Sequence, residues 1–166
     1  MQTLSPARLS AELRTGRNPD LTRRRWALGL SFGGAVIGMV VGAYQTGMIR
    51  RLPDIAPGRL FDAEKVDASD YAYKRAQTAD GLLMIVTYAV TAALVGAGGA
   101  NRAGDQRPLA LAAAAKAAAD VVLNMKLARE EWADNQALCS WCQLANVFSV
   151  ATLALLTPEA LRAARA

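Results

Sequence analysis

Residues 26–49 read WALGLSFGGAVIGMVVGAYQTGMI, twenty-four positions without a charge. Residues 81–101, GLLMIVTYAVTAALVGAGGAN, and 135–158, NQALCSWCQLANVFSVATLALLTP, are equally uncharged. The chain has 166 residues, 19 basic and 14 acidic. An even spread would put roughly 14 of those charges into these three runs, so their absence is a pattern. A helix rises about 1.5 Å per residue, and each run can therefore cross a hydrocarbon core about 30 Å thick. The segregation sets the fold class: an all-α integral membrane protein. A soluble alanine-rich bundle is the alternative, and three such runs argue against it.

A fourth crossing is hidden in residues 108–128. Alanines crowd 109–119, but Lys116, Asp120, Asn124 and Lys126 interrupt them. Central charges are costly to insert, at about 2.5–3.5 kcal/mol each. Lys116, Asp120 and Asn124 are spaced four apart, which puts them on one helical stripe. Turned inward, Lys116 pairs with Asp120 while the alanines face outward. The expected architecture is a four-helix membrane bundle with spans at about 26–48, 81–100, 108–128 and 137–157, together a membrane domain over 26–157. Seven residues, 101–107, join the second and third spans, which makes those two antiparallel neighbours.

Outside the spans, residues 1–25 form a polar N-terminal tail in which Ser5 caps a short helix, Pro6 opens it and Gly16 follows it. The tail is too charged, and the run after it too long, for a cleaved signal peptide. Residues 49–80 are a polar loop broken by Pro53, Pro57 and Gly58, with a short surface helix from Ser69. Pro158 and the basic residues Arg162 and Arg165 close the last span, leaving a tail over 158–166. With the N-terminus inside, the inner segments carry ten basic residues and the outer ones seven. Arg23, Arg24 and Arg25 stand directly before Trp26, a basic cluster and an aromatic at a membrane edge. Both termini are therefore expected on the cytoplasmic face of a cell (inner) membrane crossed several times. The glycine ladder Gly34, Gly38, Gly42, with Gly29 and Gly33, lets a neighbouring helix approach closely. The spacing suits a helix of the same chain better than a dimer face. The basic surplus fits anionic lipid rather than nucleic acid, and there is no glycine-rich phosphate loop.

The chain has no histidine and two cysteines, Cys139 and Cys142, in the run Leu138-Cys139-Ser140-Trp141-Cys142-Gln143. A CxxC at a helix start can close a disulfide over one turn. The helix N-terminus favours the thiolate there. Asn135 or Asp134 is placed to cap that helix, making Cys139 the exposed, activated thiol and setting Cys142 one turn deeper, toward the hydrocarbon. Such a pair can pass two electrons from aqueous thiols to a lipophilic quinone. Zinc, the competing use of CxxC, takes four ligands, and no metal is expected. The bland alternative is a pair of inert buried cysteines. Trp141 serves as an interfacial anchor or a lid. Asp80 is a helix cap or a proton donor, and Asp120 a partner for Lys116 or a proton donor. The acidic run Glu130, Glu131 and Asp134 reads as a solvated loop.

These residues resemble the vitamin K epoxide reductase family over about 26–157. The resemblance rests on the layout and on three stretches: Leu138 to Asn146 with its CxxC, Val66 to Ala72 with Ser69, and Asp80 to Tyr88. It implies a membrane thiol/disulfide oxidoreductase whose electron acceptor is a quinone of ubiquinone or menaquinone type. Cys142 would meet the quinone and Cys139 would exchange with the donor. Ser69, Asp80, Trp141 and Asn146 would line the quinone site, Asp80 being an acid where the family has asparagine. The family also carries two cysteines in the first outer loop, and 49–80 has none. Three ways to account for this stay open. A thioredoxin-like protein or other thiol donor attacks the CxxC disulfide directly, a second membrane or periplasmic subunit supplies the missing cysteines, or the chain is a non-catalytic relative acting as a membrane subunit or scaffold.

Overall fold

A computed structural model describes residues 5–56 and 58–166. Pro57, read above as a loop breaker, lies outside the described residues, as do the first four positions of the tail. Among the described residues the regular elements are all helices: α1 Pro6–Thr15, α2 Pro19–Gln45, α3 Ala63–Asp67, α4 Asp80–Gly96, α5 Arg102–Asp105, α6 Arg107–Asn135 and α7 Ser140–Arg165. A 3₁₀ turn covers Asp70–Tyr73. Three helices, α2, α6 and α7, are long and apolar enough to cross a membrane, and α4 is a shorter apolar helix. Trp26, Phe32, Met39, Val86, Val122, Val147 and Val150 point outward on these four. An apolar outer surface is what a lipid-facing helix presents.

α1 starts where the sequence says it should. Ser5 Oγ accepts from Arg8 N at 3.4 Å, and Gly16 follows the last turn. α2 begins seven residues before Trp26, because Asn18 caps it with Pro19 in the first turn. Its glycines meet helices of the same chain: Gly34 lies against the Tyr88 ring, Gly38 and Gly42 against Gly81, and Gly33 against Phe148. At the tightest point, a methyl group added to Gly81 would sit 2.3 Å from the Gly42 nitrogen. Because that neighbour is backbone, it cannot swing away. Gly81→Ala is expected to destabilise the fold by about 1–3 kcal/mol. Gly29→Ala, which meets nothing within 4 Å, is expected to be neutral or slightly stabilising. Thermal unfolding in detergent distinguishes the two, and equal melting curves would refute the close approach.

The second half differs from expectation in three places. The connector 101–107 contains the one-turn helix α5. The polar stripe of α6 faces inward as read, with Lys116 Nζ 2.6 Å from Asp120 Oδ1 and Thr91 Oγ1 donating to Asp120 Oδ2 at 2.8 Å. The alanines, however, do not all face outward. Ala113 and Ala117 are buried against Ala27, Val95 and Leu156, since only a methyl group fits where these helices touch. Finally, Pro158 does not end α7, which continues to Arg165. A mid-helix proline costs one hydrogen bond and some strain. The extension is held by tertiary contacts instead: Ala163 packs on Ala103 and Ala110, and Glu159 is locked in an ion pair.

That ion pair belongs to a buried knot at the end of α4. A helix leaves its last carbonyls without partners, and here two arginines take them. Arg24 Nε donates to the Val95 carbonyl at 3.0 Å and its two Nη atoms to the carbonyls of Gly96, Ala97, Gly98 and Gly99. Arg102, fully buried, donates to Leu94 at 2.7 Å, Val95 at 3.2 Å and Ala97 at 2.9 Å. Its other nitrogens grip Glu159 in two bonds, of 3.0 and 2.9 Å. Two of the ten basic residues assigned to the inner face thus cap a helix rather than meet headgroups.

Candidate active site

The CxxC stands at the start of α7, and the long loop after α2 is folded over it. Leu138 N donates to the Leu60 carbonyl at 2.8 Å, and Asp62 N to the Leu138 carbonyl at 3.0 Å. Asp54 then caps the helix: its Oδ1 accepts from Ser140 Oγ at 2.6 Å and from Ser140 N at 3.3 Å. Trp141 Nε1 donates to the Pro53 carbonyl at 2.9 Å. Cys139 is itself the N-cap residue, its Sγ accepting from Cys142 N at 3.3 Å. The cap expected from Asn135 or Asp134 is therefore supplied by Asp54 and Cys139. Asn135 ends α6, and Gln136 turns the chain in a left-handed conformation, φ 52°.

This arrangement reverses the expected exposure of the thiols. Cys139 is 0% exposed, enclosed with Leu52, Ala63, Val66, Tyr71 and Ala137. Cys142 is half-buried and opens onto a cavity. The cover comes from residues more than seventy positions earlier in the chain, which the local CxxC pattern does not reveal.

Two carboxylates flank the pair. Glu131, in the acidic run read as a solvated loop, is helical and 3% exposed. Its Oε1 accepts from Cys139 N and its Oε2 from Gln143 Nε2 at 3.3 Å. Its neighbours keep to the surface, Glu130 pairing with Arg75 at 2.8 Å and Asp134 with Lys74. Asp67, at the end of α3, is also 3% exposed. One of its oxygens and the two cysteine sulfurs lie within 4.8 Å of one another. Gln45 fixes it: the amide donates to Asp67 Oδ1 at 2.9 Å while its own oxygen accepts from Gly81 N at 2.9 Å. Asp67 Oδ2 has no hydrogen-bond partner among the described residues. Burial pushes this carboxyl up to about 6, although the neighbouring Cys139 and Gln45 favour its charge. One oxygen and two sulfurs would fall one donor short of a closed zinc shell.

The cavity, about 330 Å³, lies between α4, α6 and α7 and is roofed by the loop. Leu83, Met84, Leu123 and Leu127 give it apolar walls; Asp67, Asp80, Asn124, Glu131, Cys142 and Asn146 supply polar atoms. Of the residues singled out from sequence, Cys142, Asp80, Asp120 and Asn146 line it together. Asp80 opens α4, its Oδ2 accepting from Arg75 at 2.5 Å while its buried Oδ1 lacks a partner. Ser69 and Trp141 are not among the lining residues. Ser69 Oγ donates to the Val66 carbonyl at 2.6 Å, tying off α3, and Trp141 holds the loop. Asp67 and Glu131 went unrecognised. Asp67 was visible only as a flank of the Ser69 stretch, and Glu131 only as one acid among three.

No curated protein and no solved structure matches the chain. A family model does, across both halves of the helical assembly and the site between them. By that match over residues 25–157, the chain belongs to the vitamin K epoxide reductase family, whose members are membrane thiol–disulfide oxidoreductases.

Proposed function

We propose that the protein passes electrons from extracytoplasmic thiols, through a Cys139–Cys142 disulfide, to a membrane quinone. The spans would be α2, α4, α6 and α7, with residues 1–25 and 158–166 cytoplasmic and the CxxC at the outer face of a cell (inner) membrane. The observation that carries the reading is the position of Cys142, one sulfur of a CxxC on the wall of an apolar cavity of about 330 Å³. That volume suits a small organic ligand. The residues fit a quinone: apolar walls for ring and tail, a thiol at the wall, and the unpartnered Asp80 Oδ1 for a carbonyl. A carboxyl donates only when protonated, so Asp80 would meet a carbonyl in its acid form. Bound there, a quinone supplies a sink for two electrons and two protons.

The chain's own part is thiol exchange. A donor thiolate attacks the Cys139 sulfur, and Cys142 leaves as a thiolate. The donor's second thiol then releases Cys139 and closes the donor disulfide. The CxxC is now reduced, and Cys142 faces the cavity. Because Cys139 lies under Leu52, Ala63 and Val66, the donor reaches it only when these residues move aside. With no cysteine in residues 52–66, the donor thiols come from outside that segment: from a thioredoxin-like protein, or from a second membrane or periplasmic subunit carrying the missing pair. Membrane lipid is the remaining partner.

The burial of Cys139 favours one other reading, a non-catalytic membrane subunit or scaffold. Purified protein in detergent, given a reduced dithiol and a short-chain quinone, decides between them through quinone absorbance. Dithiol-dependent turnover supports the oxidoreductase. No turnover with any dithiol, together with thiols that stay reduced beside excess quinone, supports the scaffold.

A further inference from the structure

Closing the Cys139–Cys142 bond releases two electrons and two protons, and the second proton has no obvious exit. The electrons and the Cys142 proton leave where Cys142 opens onto the cavity. Cys139 does not line that cavity and is sealed from water. Its proton must pass through a neighbouring group.

Two carboxylates adjoin it, and they differ in what their oxygens already do. Both oxygens of Glu131 are engaged, one by Cys139 N and the other by Gln143. Asp67 has one oxygen held by Gln45 and the other unpartnered, within a cluster that spans 4.8 Å with both sulfurs. Asp67 also lines the cavity. It therefore lies within 4.8 Å of the thiol pair on one side and lines the ligand space on the other. We propose that Asp67 is the general base that takes the Cys139 proton as the disulfide forms and delivers it into the cavity. Glu131 is a positioning residue for the Cys139 backbone. This inference rests on the oxidoreductase reading above.

The step balances. Two S–H bonds break and one S–S bond forms. Two electrons pass to the quinone, one proton enters the cavity from Cys142, and one enters by way of Asp67. A base works best when its own proton affinity lies near the operating pH, and burial holds Asp67 at about 6. The surrounding charges are Glu131 from α6, Asp80 from α4 with Arg75 against it, and Asp54 from the loop, with Tyr44 on α2. The negative charges of Asp80 and Asp54 disfavour its ionisation, as burial does. Asp67 accepts a proton only as the carboxylate, so the oxidation rate should rise with pH through about 6.

The test is single-turnover oxidation of the reduced protein by a short-chain quinone, across pH, for wild type, Asp67→Asn and Asp67→Glu. Asp67→Asn is expected to be roughly 100-fold slower and to lose the rise, and Asp67→Glu to restore it. A second readout needs no quinone. Removing a negative neighbour should let the thiols ionise at lower pH in Asp67→Asn, as followed by ultraviolet thiolate absorbance. Slower oxidation despite easier ionisation marks a base, because a merely structural loss would not give that combination. An Asp67→Asn rate within about threefold of wild type, or a wild-type rate that is flat across pH 6, overturns the inference. The wild-type profile decides even if the variant does not fold. Should wild type turn over no quinone at all, the oxidoreductase reading fails instead. The thiolate titration then still tests whether Asp67 senses the pair, and identical titrations overturn that.

Discussion

Cys142→Ser is expected to abolish dithiol-dependent quinone reduction, leaving only the uncatalysed rate. A serine hydroxyl cannot form a disulfide, and the sulfur it replaces is the only thiol among the described residues that line the cavity. The substitution barely changes volume at a half-buried position, so the melting temperature should hold. Cys139→Ser separates chemistry from structure in a second way. Serine is a good helix N-cap, so it can take over the role that the Cys139 sulfur plays toward Cys142 N at 3.3 Å. That variant should also fold normally and be inactive. Nucleophile losses elsewhere commonly cost about a millionfold. Turnover within tenfold of wild type in either variant would therefore remove the CxxC from the mechanism.

Glu159→Ala should cost about 3–5 kcal/mol of stability, the usual penalty for stripping one partner from a buried ion pair. Arg102 is 0% exposed and its neighbour Arg24 3% exposed. Without Glu159, the two guanidinium groups face only carbonyl dipoles. Arg102→Met should cost a similar amount, because it abandons Glu159 and the carbonyls of Leu94, Val95 and Ala97 together. The double variant Arg102→Met/Glu159→Leu should recover part of the loss, since replacing both partners by apolar groups removes the unpaired charge. Thermal or denaturant unfolding in detergent measures all three. Single-variant losses below about 1 kcal/mol would reduce the pair to the rank of a surface salt bridge.

What could be read from the sequence depended on how local the cause was. The uncharged runs around Trp26–Ile49 and Ala137–Thr157 are local, and helices stand there. The Lys116–Asp120 pairing is also local, four residues on one helix, and its inward stripe followed. The helices run past the expected spans because polar flanks fold into them, Asp20 behind the local Asn18 cap and Glu159 through its distant partner Arg102. Pro158 has a strong local meaning that Arg102, 56 positions earlier, overrides. Within the site, CxxC was unmistakable as a motif. Its exposure was not, because Leu52, Ala63 and Val66 provide the cover. Asp67 and Glu131 gain their roles only by converging on Cys139 from α3 and α6, and no spacing rule links 67, 131 and 139.

The knot around the end of α4 has a mechanical consequence. Arg24, Arg102 and Glu159 bind α2, α4, α5 and α7 together through buried charge. At the opposite end, the cover over Cys139 is held by single hydrogen bonds, among them the two backbone bonds of Leu138, the Asp54 cap, Ile55 N on Ser140 Oγ and one indole N–H. The molecule is thus stiff at one pole and latched at the other. Any breathing that admits a donor should pivot about the arginine pole, so a variant that slackens this pole would loosen the latch from a distance.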